Sequence, residues 1–179
     1  GADPRAMSHS WLFTGPPGSG RSLAAIDFAA ALMCTDPEEP GCGRCEACRA
    51  VLETKQHTDL VLVDPQEVII PVDTVREVIG RAASLPTVAP WRVVIFNNAD
   101  RLNNNGANAL LKTVEEPPAR TVIIMCAPSD APEDFSQTLR SRCRHLYIPS
   151  PSVKSITSQL VSEGASDHDA HLAALTSLR

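Results

Sequence analysis

The sequence predicts an α/β fold in which a parallel sheet is flanked by helices, and three observations carry that prediction. Short apolar runs bounded by charge or turn residues alternate with longer stretches whose apolar residues recur at helical spacing. That is the pattern of strands covered on both faces and of the helices that cover them. A glycine-rich loop joins the first such run to the first such stretch, as strand, loop and helix do in a phosphate-binding unit. Pro149-Ser-Pro151 then closes the alternation, and only helical periodicity follows it.

At 179 residues, with 43% apolar and 21% charged residues, the chain has the make-up of a folded protein able to bury a core. A net charge of −5 and a pI near 5.5 argue against wrapping nucleic acid alone, which takes clustered Lys and Arg, so any DNA contact is expected to be shared with partners. No apolar run approaches the ~20 residues of a membrane span. The first ten residues also lack the basic-then-apolar order of a signal peptide, and a cytoplasmic location is expected. Met7 lies too close to the first strand to leave room for an N-terminal helix; Gly1 to Ala6 read as a vector remnant or the tail of a longer segment.

Trp11 to Phe13 predicts the first strand, and Gly15-Pro16-Pro17-Gly18-Ser19-Gly20-Arg21-Ser22 follows it. The pattern G-x-x-x-x-G-K-[ST] is met at Gly15, Gly20 and Ser22, where glycines let backbone N–H groups turn toward phosphates and the helix N-terminus adds positive partial charge. Position 21 departs from it: a planar, forked guanidinium stands where a compact ammonium belongs. Weak ATP or ADP occupancy stays compatible with the glycines, and so does a plain Gly/Pro turn that caps a helix and binds nothing. Ser22 to Met33 predicts the helix, with Leu23, Ile26, Ala30 and Met33 at helical spacing.

Thr35 to Gly41 is broken by two prolines and a glycine. Asp59 to Asp64 predicts a buried strand, and Val68 to Ile70 a short edge strand. Pro71 opens a helix with Val72, Val75, Val78 and Ile79 on one side, and Pro86 to Pro90 is a loop. Arg92 to Phe96 predicts a further buried strand, ending in Asn97-Asn98-Ala99-Asp100. Asn103 to Glu116 then reads as a helix with Ala107, Leu110, Leu111 and Val114 as its stripe, stopped by Pro117-Pro118. Thr121 to Cys126 is a strand, Phe135 to Arg140 a short helix or turn, and His145 to Ile148 the last strand. Ligands in such sheets sit at the carboxyl ends of strands, where the glycine loop, Asn97 and Ser129 all fall. Beyond the proline boundary, Val153, Ile156, Leu160 and Val161, then Leu172, Leu175 and Leu178, predict two amphipathic helices. Two short helices cannot close a core, so a third element is expected outside the chain.

Cys34, Cys42, Cys45 and Cys48 have the spacing C-x7-C-x2-C-x2-C, which lets short turns aim four sulfurs at one tetrahedral zinc. Disulfides fit poorly with a cytosolic phosphate-loop protein. An iron–sulfur run would need a fourth cysteine and a proline downstream, and both are absent. Four sulfurs leave no open coordination position, so the predicted zinc is structural. Cys126 and Cys143 read as buried thiols.

A nucleotide hydrolase of this architecture needs an acidic residue at a strand end to hold Mg²⁺ and usually another to orient water. Those places carry Asn97 and Asn98, whose neutral amides neither attract the cation strongly nor accept a proton. Asp100-Arg101 reads as a solvated helix-start pair. With Arg21, three requirements of ATP hydrolysis are missing together.

Trp11-Leu-Phe-Thr-Gly15, the cysteine insert, Asn108-Ala-Leu-Leu-Lys-Thr-Val-Glu-Glu-Pro-Pro118 and Ser141-Arg142-Cys143 together resemble the bacterial clamp-loader branch of the AAA+ proteins. Within it the sequence is similar to the delta-prime family of DNA polymerase III, whose loop and acidic pair are degenerate where gamma/tau members keep both. The resemblance covers nearly all of the chain from Ser8 onward. It implies an AAA+ α/β domain over residues 1–149 with a zinc module at 34–48, the start of a helical lid over 150–179, and a collar domain outside this chain. It also implies that Arg142 is an arginine finger that reaches ATP on the adjacent subunit and acts in trans. Ser129 would lie near the phosphate-sensing position. The implied activity is that of a non-hydrolysing stator within the polymerase III holoenzyme. Its partners would be the gamma/tau and delta subunits, the sliding clamp transiently, and primed DNA only within the complex; no membrane is implied. Two other readings stand beside it: an active gamma/tau-type ATPase, and a zinc-dependent binding module with a vestigial loop. Read as isolated residues, Arg142 is a surface arginine and Lys112 and Glu115 a solvated pair three apart. Without a collar, the fragment is expected to be monomeric or weakly associating.

Overall fold

In the computed structural model residues 8–177 are described; Gly1 to Met7 and Leu178, the last apolar position of the final predicted helix, lie outside them. The strands are β1 (Ser10–Thr14), β2 (Leu60–Val63), β3 (Arg92–Phe96), β4 (Thr121–Ala127) and β5 (Arg144–Tyr147). The helices are α1 (Arg21–Met33), α2 (Glu46–Arg49), α3 (Val72–Ala82), α4 (Asn104–Glu115), α5 (Gln137–Arg140), α6 (Val153–Ser162) and α7 (Asp167–Ser177). The five strands form one sheet in the order β2-β3-β4-β1-β5, and every pairing is parallel. The α/β fold with a parallel sheet is therefore the one the alternation of apolar runs predicts.

Side chains of successive strand residues point to opposite faces, and the core divides accordingly. Leu12, Val61, Val63, Val94, Phe96, Ile123 and Met125 pack with Val75, Val78, Leu110 and Val114 of α3 and α4. Phe13, Leu60, Val93, Ile95, Val122 and Ile124 pack with Ala25, Ile26, Ala29, Ala30 and Met33 of α1, where Cys34, Cys48 and Val51 join them. All positions of β3 and β4 are buried, which is why those strands read as unbroken apolar runs. The open edge β5 has every residue exposed.

Two local predictions are corrected. Val68 to Ile70 is not a strand: only Ile70 bridges to Leu102, because Arg101 Nη1 takes the carbonyls of Pro65 and Glu67, both at 2.9 Å, and holds the segment as a loop. The stretch after Cys45, given no element from sequence, winds into α2 and a π-helical turn at Ala50–Thr54. α6 and α7 lie against each other with Ala170 and Ala174 buried.

Asp59, read from sequence as a charged flank, is fully buried. Its carboxylate accepts from the backbone N–H of Thr87 (2.8 Å), Val88 (2.8 Å) and Ala89 (2.9 Å) and from Arg92 Nη2 (2.9 Å). Arg92 Nη1 goes on to the carbonyls of Arg81 (2.6 Å) and Ser84 (2.8 Å). One ion pair thus fixes the loop from Pro86 to Pro90 and the end of α3 against the amino end of β3.

Candidate functional site

The glycine loop leaves β1 at the carboxyl edge of the sheet, held there by Gly15 N–H on the Ala127 carbonyl of β4 (3.3 Å). A Cβ on Gly15 would collide with the Ile148 carbonyl and the Ser19 hydroxyl, so glycine is required by close approach. Gly18 and Gly20 have φ of 80° and 82°, a region other residues rarely enter. Ser19 N–H closes the turn on the Pro16 carbonyl at 3.0 Å. Pro17 lies inside this turn, and Ser22 sits in the first turn of α1. Arg21 Nη1 folds back onto the Gly15 (2.7 Å) and Pro16 (3.1 Å) carbonyls, and its Nε is buried without a partner among the described residues. The cation of the loop is spent on the backbone of the loop.

Two strands over, Asn97 follows β3; its Nδ2 donates to Asp64 Oδ1 at 3.1 Å while its own Oδ1 is buried and unpaired among the described residues. Asn98 takes the left-handed conformation at φ 54°, which Asn tolerates better than most residues, and so turns the chain into the short helix at Ala99–Arg101. Asp64, one strand over, brings a carboxylate to Asn97, and the linear motif did not single it out. Ser129 is engaged locally: its hydroxyl donates to Asp134 Oδ2 (2.6 Å) and accepts from Ala131 N–H (3.1 Å).

The four cysteines converge. Their sulfurs all lie within 4.8 Å of one another, with Cys34 at 3.6 Å from Cys42 and 3.9 Å from Cys45. Tetrahedral zinc with bonds of about 2.3 Å sets sulfurs roughly 3.8 Å apart, so the donor set fits that ion. Backbone N–H groups of Asp36, Cys45 and Cys48 donate to Cys34, Cys42 and Cys45, each at 3.4 Å. Such donors favour the thiolate, the metal-binding form. Backbone hydrogen bonding, from Thr35 first, brings the Cys45 thiol down to about 5, while burial pushes Cys48 up to about 12. Burial likewise pushes Cys126 and Cys143 up to about 12; Cys126 is a core thiol as expected, whereas Cys143 is only half-buried against the core.

Arg142 follows α5 and is about one-third exposed (35%). Its Nε donates to Glu115 Oε1 at 2.5 Å and its Nη1 to the Thr138 carbonyl at 2.8 Å. Glu115 therefore pairs with Arg142 and not with Lys112 three residues back. The two motifs meet through that contact, α4 supplying the acid and the turn after α5 the base. Asp130, Arg140 and His145 lie on the same edge, and Arg140 donating to Asp130 holds that carboxyl below its usual range. Sequence reading passed over all three, because nothing in their spacing marks them.

A sequence model of the family described as DNA polymerase III, delta subunit, matches residues 2–152. The chain belongs to that delta-subunit family. Among relatives of this family member, DNA polymerase III subunit delta-prime of Pseudomonas aeruginosa is 36% identical over 147 residues, 80% of this chain and 44% of the relative. Delta-prime of Escherichia coli K12 is 34% identical over 170 residues, 93% and 50% of the two chains. DNA polymerase III subunit tau of Bacillus subtilis is 31% identical over 158 residues, 88% and 26%. The chain spans about half the length of the delta-prime relatives it matches. A solved gamma subunit-related protein from Thermotoga maritima superposes with a TM-score of 0.60 at 21% identity, over 89% of this chain and 49% of that one, which shows a shared fold. Among the described residues no helix of this delta-subunit family member is long and apolar enough to cross a membrane.

Proposed function

We propose that this chain is the nucleotide-fold part of a clamp-loader delta-prime subunit, a cytoplasmic stator that does not hydrolyse ATP itself. Residues 1–149 form its AAA+ domain, residues 34–48 a structural zinc module, and residues 150–179 the start of a helical lid. The observation that carries this reading is the folding of Arg21 onto the Gly15 and Pro16 carbonyls. A phosphate entering the loop has to displace that side chain before it finds any cation there. At the strand end, the amides of Asn97 and Asn98 offer Mg²⁺ no charge.

Arg142 serves a neighbour. In a ring with gamma/tau and delta subunits it exchanges Glu115 for the phosphate oxygens of ATP on the adjacent subunit. There its fork stabilises charge developing during hydrolysis, while the ring opens a sliding clamp and places it on primed DNA. Zinc, held by Cys34, Cys42, Cys45 and Cys48, braces the chain that leaves α1.

Steady-state phosphate release by the chain with ATP and Mg²⁺ tests the first half, and no turnover is expected. Turnover in the unmodified chain would instead favour a gamma/tau-type ATPase, a reading that the 31% identity to a tau subunit keeps in view.

A further inference from the structure

Arg142 hangs from a short piece of structure, α5, which Leu139 anchors in the core and Asp130 clasps at the surface. Asp130 lies in the loop after β4, at the carboxyl edge of the sheet. Its Oδ2 takes Arg140 Nε at 2.7 Å and Nη2 at 2.5 Å, and its backbone carbonyl takes Gln137 Nε2 at 3.0 Å. Gln137 opens α5 and Arg140 closes it, so Asp130 clasps the helix at both ends. α5 in turn offers the Thr138 carbonyl (2.8 Å), and the following Ser141 its hydroxyl (3.1 Å), to Arg142 Nη1. On its other side Asp130 Oδ2 faces His145 Nδ1 at 3.9 Å, and His145 Nε2 is 2.6 Å from Thr14 Oγ1. Thr14 ends β1 immediately before Gly15.

We propose that Asp130 is a positioning residue: it fixes α5, and through α5 the direction of Arg142, against the shoulder of the glycine loop. The proposal rests on the reading of Arg142 as a donor to a neighbour's nucleotide. A single helical turn of four residues has no stability of its own; Leu139 pins it to the core at one point, so without the clasp it pivots about Leu139 and Arg142 with it. A guanidinium helps a reacting phosphate only within a narrow range of distance and angle, and a misplacement near 1 Å can cost roughly 100-fold in rate. The Asp130–Arg140 pair is 34% and 42% exposed. Pairs that open to water add little to global stability, so the contact aims a side chain more than it holds the fold.

The test uses full-length protein in a reconstituted ring in which only the neighbouring subunit keeps a working ATP site. Arg142→Ala is expected to lower kcat about 1000-fold. Asp130→Ala is expected to lower kcat roughly 10- to 100-fold with KM for ATP within about twofold, and Asp130→Glu, which keeps the carboxylate, to retain most of the rate. Hydrogen exchange supplies a second readout. In Asp130→Ala the N–H groups of Arg142 and Cys143, bonded to the Leu139 and Arg140 carbonyls, exchange faster while those of β4 do not change. A drop with Arg142→Ala but none with Asp130→Ala overturns the positioning role and leaves the finger standing. No drop with Arg142→Ala sinks the finger and the positioning role with it. Faster exchange throughout β4 in Asp130→Ala also overturns the proposal, since the residue then supports the fold and does not aim Arg142.

Discussion

The two ends of α1 carry the two motifs most visible in the sequence, and they are built on opposite principles. At the amino end Arg21 turns back onto the Gly15 and Pro16 carbonyls, so the cation of the loop is met by the loop itself. Just past the carboxyl end Cys34 opens a cluster whose sulfurs lie within 4.8 Å of one another. Thiolates that close repel unless a cation stands among them. The first motif turns its charge inward onto its own backbone; the second gathers four sulfurs that could hold a metal ion. A motif that looks like a binding site therefore says little about need until the partners of its charged groups are known.

The largest expected effect comes from breaking the second site. Protein purified without chelator should carry one zinc per chain by elemental analysis. Stripping it, or Cys45→Ser, forfeits on the order of 10 kcal/mol of metal-binding free energy. α2 and the turn after it should then unfold, because Cys48 and Val51 reach the core beside Met33 only while the insert is closed. Loss of helical circular dichroism and a lower melting temperature would report this. A zinc-free protein with an unchanged melt would remove the contrast between the two ends.

Asp59 shows what internal satisfaction is worth when it is buried. Asp59→Ala leaves Arg92 and three backbone N–H groups without their acceptor, and breaking a buried pair costs about 3–5 kcal/mol. Burial alone would raise this carboxyl, but the N–H groups of Ala89, Thr87 and Val88, together with Arg92, outweigh it and hold it well below the usual carboxylate range. A depressed folded-state value means the stabilisation is fully present above the unfolded value of about 3.9 and drains away as pH falls below it. Thermal melts between pH 6 and pH 2 should show that loss in the unmodified chain and lack that part of it in Asp59→Asn. Equal slopes in the two proteins would mean that Asp59 is not the group responsible.

Asp59 also marks the limit of what the sequence discloses. β3, the helix after Pro71 and the cysteine cluster are legible because their determinants are local: apolar run length, helical period, and sulfur spacing within one short insert. In the sequence Asp59 is no more than the charged end of an apolar run, because its partners, Thr87 to Ala89 and Arg92, are far along the chain and meet it only once β2 pairs with β3. Asp130 and Glu115 escape for the same reason, each finding its arginine through the packing of separate elements. Arg21 is the intermediate case. Its departure from lysine is plain in the sequence, whereas the direction its side chain takes is a property of the folded loop.

Replacing Arg21 has the smallest expected effect and bears most directly on the contrast. Lysine is a compact point charge with rotatable donors and lacks the Nε that Arg21 buries unpaired. Arg21→Lys should therefore release the loop carbonyls more readily and leave an ammonium free to meet a phosphate. Titration calorimetry with ATP and Mg²⁺ should show at least tenfold tighter binding than in the unmodified chain, about 1.4 kcal/mol. Phosphate release should stay absent, because Asn97 and Asn98 still supply no carboxylate. Arg21→Ala separates two causes: it opens the loop but removes the charge. Binding by alanine as tight as by lysine would assign the block to the guanidinium filling the loop, while binding by lysine alone would assign it to the kind of cation presented. If the unmodified chain already binds ATP as tightly as Arg21→Lys, the guanidinium does not fill the loop in solution, and the two ends of α1 are alike in awaiting a ligand.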